Sequence, residues 1–227
     1  MLTDQSAESN GLLVTFSVRV KKNIVELKKR FFELISEQTS NMELAKNYWE
    51  EIEKAHSSKG RHYHDLTHLE NLFIELELVK DQIEDWDTVS WSVFYHDFVY
   101  NVRKQDNEER SADKAVNALE KLGYPTEKVE RCKMQIIATK AHTVLDDMDA
   151  NLFTDADLSI LGKDWETYHI YVKNIRKEYK IYPNLLYKPG RKKVLKHFLE
   201  MERIFKTDYF WEKYEAKARE NLAKELG

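Results

Sequence analysis

The chain is expected to fold as an all-α, single-domain helical bundle, and three observations point there. Glycine and proline are sparse, with 6 and 3 copies in 227 residues, while Leu, Lys, Glu and Ala are plentiful. The turn-rich punctuation of a sandwich or barrel is therefore missing. No alternation of apolar and polar residues persists for five positions and no repeat of fixed period appears, whereas apolar residues return at three- and four-residue intervals along most of the chain. A chain of this length forms one domain by default and buries a substantial core without disulfide or metal staples.

The first dozen residues are polar and aperiodic, and residues 1–14 are expected to be a mobile tail, with the helical domain spanning 15–227. From Ser17 to about Gln38 the series Val18, Val20, Ile24, Leu27, Phe31, Leu34 and Ile35 marks an amphipathic helix. A second is expected from about Met42 to Ala55, followed by the loop His56-Ser57-Ser58-Lys59-Gly60. The third runs from about Asp65 to Val79 with Leu66, Leu69, Leu72, Phe73 and Leu76 inward and His68 among them. The fourth, from about Trp86 to Tyr100, is rich in aromatic residues around His96-Asp97 and is expected to be buried on most of its circumference. Helices over about Asn107 to Leu122 and Thr126 to Thr139 flank Gly123-Tyr124-Pro125, a C-cap glycine with a proline stop. Asn151 to Leu161 closes at Gly162, and further helices are expected near Trp165 to Tyr179, Arg191 to Lys206 and Tyr209 to Leu226.

Charged residues make up 33% of the chain but nearly cancel, leaving a net charge of −4, so no nucleic-acid-coating surface is implied. The single cysteine, Cys132, excludes an intramolecular disulfide and a thiolate-rich zinc site. The N-terminus lacks the basic and apolar regions of a secretory leader, and no window approaches 18 uncharged apolar residues. A soluble, cytoplasmic protein with no membrane and no nucleic-acid partner is expected; oligomeric state is not legible.

The chemistry concentrates in His64 and His68, in His96-Asp97, and in Asp155-Ala156-Asp157. Spaced i, i+4, the first two histidines project from one face of a helix. Adjacent helical residues point about 100° apart, so His96 and Asp97 reach one cation only if it lies in the wedge between them. A buried aspartate needs a cation or hydrogen bonds to compensate it, and in so aromatic a segment a metal is an economical compensator. Asp155 and Asp157 offer a further carboxylate, with room for one to cap a helix while the other ligates.

These residues resemble a family pattern. A separated His, a His-Asp doublet and a distal Asp on an all-α bundle are the signature of the HD superfamily of metal-dependent phosphohydrolases. The runs RHYHDLTH, FYHDFVYN, NEERSA, IIATKAH, DADLSILG, IRKEY and GRKKVLKHFLE look like its branch of predicted metal-dependent HD phosphohydrolases over about residues 40 to 210. YHDLTH is also similar to the YHNxxH motif of cyclic-nucleotide phosphodiesterases, although Asp65 stands where those enzymes have Asn, and ADLS resembles their segment carrying the distal aspartate. The resemblance implies His68, His96, Asp97 and Asp157 as metal ligands, His64 as general acid, and Asp155 as the weaker alternative ligand. It also implies Glu108 as a residue that orients the nucleophilic water.

Two imidazoles and two carboxylates suit one divalent ion, or two, drawn from Mn, Fe, Co, Ni and Zn more readily than Mg. The implied reaction is in-line attack of activated water on a small-molecule phosphoester, a nucleotide or a related compound. Arg61, Lys140 and Arg191 are candidate phosphate clamps, and His142 a contact to substrate or a second ion. Glu178 and Tyr179 of IRKEY match the family run as well, and a buried Glu–Arg pair accounts for them equally. Two other readings stand beside this one. His64 and His68 form an HxxxH that differs from the zinc-peptidase HExxH by Asp65, and a helical module could bind metal or nucleotide without catalysis.

Overall fold

The computed structural model describes residues 24–227. The expected tail over residues 1–14 and the beginning of the first expected helix, with Val18 and Val20, lie outside the described residues. Among the described residues the chain is all-α, without a strand. In order come α1 (residues 24–36), α2 (Met42–His56), α3 (Leu66–Glu77), α4 (Trp86–Tyr95), α5 (Asn107–Lys121), α6 (Thr126–Ala138), α7 (Met148–Leu158), α8 (Trp165–Glu178), α9 (Asn184–Glu200) and α10 (Asp208–Leu226). No described helix is long and apolar enough to cross a membrane.

Short side chains fix where the helices begin. Asn41, Asp65, Asp85, Asp147 and Asp164 each accept a backbone N–H of the first turn that follows, satisfying amides that would otherwise lack partners. Gly123, with φ +77, closes α5; its N–H donates to Glu120 O, and the Tyr124 N–H donates to Leu119 O. This Schellman geometry needs a left-handed residue, which glycine adopts without cost to a Cβ.

The core is built around α4, whose residues from Thr88 to Tyr95 are all buried. Phe31 of α1 meets Trp49 of α2 and Phe94 of α4 at ring-centroid separations of 5.7 and 5.2 Å, and Phe73 of α3 meets Phe94 at 5.2 Å. Tilted and edge-on aromatic pairs of this kind add to the burial energy of the rings. The hairpin of α5 and α6 packs on α4, α7 joins α3 and α6, and α10 packs on a 3-10 turn at Ser159–Gly162. A Cβ at Gly162 would lie 2.5 Å from the Tyr214 Cβ, so only glycine allows that approach.

Several expected boundaries move. α4 stops at Tyr95, leaving His96 as its C-cap and Asp97 in the turn beyond. α3 starts at Leu66, so His64 precedes the helix and the one-face argument for His64 and His68 does not hold. α7 begins at Met148 with Asp147 as its cap; neither Asp155 nor Asp157 caps a helix, because both lie near its C-terminal end. The helix expected from Arg191 begins earlier, at Asn184, so Pro189-Gly190 lies inside α9. Proline there is in the sixth position and removes one backbone donor on an exposed helix, where water can replace the lost bond.

Asp155 is fully buried and acts within the fold. Its carboxylate accepts the backbone N–H groups of Lys206 and Thr207, the Thr207 hydroxyl at 2.8 Å and the Lys206 ammonium at 3.1 Å. The Lys206 side chain is only 2% exposed, so this pair ties α7 to the start of α10. Asp155→Ala leaves a buried ammonium without its counter-charge and is expected to cost about 3–5 kcal/mol, measured as a lowered urea midpoint.

His56, the last residue of α2, is wholly buried. Its Nδ1–H donates to Ile52 O at 3.1 Å, and its Nε2 has no partner. Burial, with Arg61 nearby, pushes its pKa down to about 3. The unfolded chain therefore takes up a proton near pH 6.5 that the native chain refuses until about pH 3. Stability falls as pH falls through that window, by about 2 kcal/mol at pH 5. Urea unfolding of His56→Phe at pH 7 and 5 is expected to show a flatter pH dependence than the parent chain.

Candidate metal centre

The turn after α4 brings His96 and Asp97 to one point. Carbonyls of this turn, just beyond the end of α4, find a partner in another loop. Arg61 donates to Asp97 O at 2.6 Å, to Phe98 O at 3.1 Å and to His64 O at 2.9 Å, and its guanidinium lies 5.2 Å from the Tyr100 ring centroid. Arg61 thus clamps backbone; it does not line the cavity described below and is not placed to clamp phosphate.

His68 from α3, His96 from α4 and Asp157 from α7 converge below the surface and can hold a metal ion. His68 Nε2 lies 3.1 Å from His96 Nε2 and 3.2 Å from Asp157 Oδ1, and His96 Nε2 lies 3.9 Å from the same oxygen. Asp97 Oδ2 is 3.2 Å from His96 Nε2 and 3.7 Å from His68 Nε2. Bonds of about 2.1 Å to a common ion would set neighbouring donors roughly 3.0–3.4 Å apart in octahedral or tetrahedral arrangement. Three of the five observed spacings, at 3.1, 3.2 and 3.2 Å, fall in that range, and the other two, at 3.7 and 3.9 Å, lie above it.

The donor chemistry fits as well. His96 Nδ1 lies 2.9 Å from Val93 O, and since a carbonyl only accepts, Nδ1 carries a proton and Nε2, facing His68, is the nitrogen that can ligate a metal. A backbone carbonyl behind a histidine is the usual way to orient a metal-binding imidazole. In the metal-free chain, protons take over part of the compensation. Burial alone would lower the His96 pKa, yet Asp97 and Asp157 push it up to about 9. Burial alone would raise the Asp157 pKa, yet hydrogen bonding to His68 and the charge of His96 bring it down to about 2.

His64 sits beside this cluster on a loop held by Glu178 of α8. One carboxylate oxygen of Glu178 accepts the backbone N–H groups of His62, Tyr63 and His64 at 2.7, 2.8 and 3.1 Å. The other accepts His64 Nδ1–H at 2.7 Å and the Tyr100 hydroxyl at 2.9 Å. The partners of Glu178 are therefore a histidine, a tyrosine and backbone amides, not the arginine of a buried ion pair. Desolvation pulls the His64 pKa down, but Asp97 and Glu178 raise it above the ordinary value overall. Asp65, next in sequence, turns away: its carboxylate accepts the Thr67 and His68 amides, and this local duty removes it as the base that an HxxxH peptidase would need.

His64, His96, Asp97 and Asp157 all line one cavity of about 520 Å³, within the range of small-molecule sites. Glu108, His142 and Arg191 line it too. Burial raises the Glu108 pKa. His142 adopts φ 51, in the left-handed region that non-glycine residues rarely occupy, and burial brings its pKa down to about 4. Arg191 is fixed by Glu225 of α10, donating from Nε and Nη2 at 2.8 Å each. Lys140 does not line the cavity; its ammonium is paired with Glu109 and donates to Gln105 O at 2.7 Å.

The residue that sequence reasoning undervalued is Glu178. No local feature of its charged run marks it, because its His64 partner lies 114 positions away. No family model, curated protein or solved structure matches this chain.

Proposed function

We propose that this chain is a metal-dependent phosphohydrolase of the HD type, acting on a small-molecule phosphoester in the cytoplasm. The observation that carries the reading is the convergence of two imidazole nitrogens and two carboxylates, three of them from residues that line the cavity, with a carboxylate-held imidazole beside them. The order of His64, His68, His96-Asp97 and Asp157, similar to the HD superfamily, is a second support.

His68, His96, Asp97 and Asp157 would hold a divalent ion, which supplies electrophilic polarisation of a phosphoryl oxygen and a water acidified toward neutral pH. His64, kept protonated on Nδ1 by Glu178, presents Nε2 as the acid for the leaving oxygen. Glu108, with its raised pKa, serves as proton acceptor at the cavity wall. Arg191 offers Nη1 to a phosphate oxygen while Glu225 fixes its plane.

The test is a metal and substrate matrix. Chain stripped of metal and reloaded with Mn, Co or Ni is expected to take up the ion stoichiometrically, melt at higher temperature and release phosphate from members of a phosphoester panel. Failure to bind any of the three ions, together with no phosphate release, would sink the proposal. Stoichiometric metal without turnover on the whole panel would favour the non-catalytic binding module.

A further inference from the structure

The cavity beyond the metal centre describes the molecule that fits it. Walls from α8, α9 and the turn that joins them are dominated by tyrosines, with Tyr171, Tyr179, Tyr182 and Tyr187 joining Tyr100. Ile175 and Leu186 add apolar surface among them. Of the lysines and arginines, among the described residues only Arg191 lines the cavity, and Glu225 offsets its charge. Asp97, Asp157 and Glu108 add negative charge to the same walls. A chain of phosphates needs several cationic or N–H donors along its length, and this cavity does not offer them.

Two polar atoms on the walls also lack partners although they are buried. They are the Tyr187 hydroxyl and His142 Nδ1. A buried polar atom without a hydrogen bond is costly, so each is poised for a group that a bound molecule brings. Burial keeps His142 neutral and raises the Tyr187 pKa, so neither side chain adds charge to the cavity. The Tyr187 ring is stiffened from behind by Arg176, whose guanidinium lies 4.6 Å from the ring centroid.

We infer that the substrate class is a phosphomonoester with a single phosphate at the metal end and an uncharged, aromatic body carrying hydrogen-bonding groups, seated between the tyrosines of α8 and α9. This inference rests on the phosphohydrolase reading for the position of the phosphate, but the selectivity it assigns is one of binding and can be read without turnover.

The experiment measures affinities of the full, Mn-loaded chain by titration calorimetry with three non-hydrolysable probes: phenylphosphonate, methylphosphonate and methylenebisphosphonate. Phenylphosphonate is expected to bind at least about 10-fold more tightly than either of the others, since each ring face it stacks on adds to the contact. Tyr187→Ala is expected to remove most of that preference. Tyr187→Phe, which keeps the ring and guards against a misfolded alanine variant, is expected to retain it for phenylphosphonate. Phenylphosphonate and methylphosphonate of equal affinity, tighter binding of the bisphosphonate, or no binding of any probe would overturn the inference. Phosphate release that fails on every ester while phenylphosphonate selectivity persists would instead count against the phosphohydrolase reading alone.

Discussion

Asp157→Ala is expected to lose the metal and, with it, all measurable phosphoester hydrolysis. Asp157 is the member of the cluster contributed by α7, 3.2 Å from His68 Nε2, and its removal leaves two imidazoles and the Asp97 carboxylate to hold the ion. Loss of a mere supporting residue at such a site typically weakens binding 10–100-fold, so loss of a ligand is expected to exceed about 100-fold. Metal analysis of the purified variant and Mn titration of the stripped protein measure the effect. The neighbouring substitution Asp155→Ala supplies the contrast: it removes a buried ion pair with Lys206, so folded variant is expected to keep stoichiometric metal. Stoichiometric metal in Asp157→Ala would show that this carboxylate is no ligand.

The second large effect is expected at His64 and its holder. His64→Asn should lower kcat by about 10²–10⁴, the usual contribution of a positioned general acid, while leaving metal content unchanged. Metal loss in this variant would mean that His64 and His68 have exchanged roles. Glu178→Gln tests the support separately. It preserves shape but removes the negative charge that, with Asp97, raises the His64 pKa. A general acid works only while protonated, so the alkaline limb of the rate profile is expected to move to lower pH in Glu178→Gln. A role confined to bracing the loop would lower stability and leave that limb in place. Rate–pH profiles of the two proteins, each measured with saturating Mn, separate these outcomes.

Both effects depend on features of different legibility. Asp157 could be singled out from sequence only through the resemblance of its ADLS segment to a family motif. Choosing it over Asp155 on structural grounds requires the fold: the two carboxylates lie two residues apart on α7, and only packing shows that one meets Lys206 and the other His68. Glu178 illustrates the opposite limit. Nothing local distinguishes it from the other acidic residues of amphipathic helices, and its role arises from three backbone amides and two side chains brought from distant segments.

Helix boundaries divide in the same way. Those governed by local chemistry, such as the Gly123 stop and the beginning of α2 behind Asn41, fall where periodicity and capping put them. The end of α4 does not: the chain turns at His96, and Arg61 from a distant loop takes the Asp97 and Phe98 carbonyls of that turn. The run through Pro189 is similar: α9 is held by Leu195 in the core and by Arg191 on Glu225, contacts that outweigh one missing backbone bond.

The sequence by itself determined the all-α class and which histidines and aspartates to consider, because helical periodicity and residue chemistry are local properties. Only the tertiary structure decided that His68, His96 and Asp157 meet, that Asp155 and Arg61 serve the fold, and that Glu178 orients His64. Those assignments turn on distances between segments tens of residues apart, and such distances are set by how the helices pack.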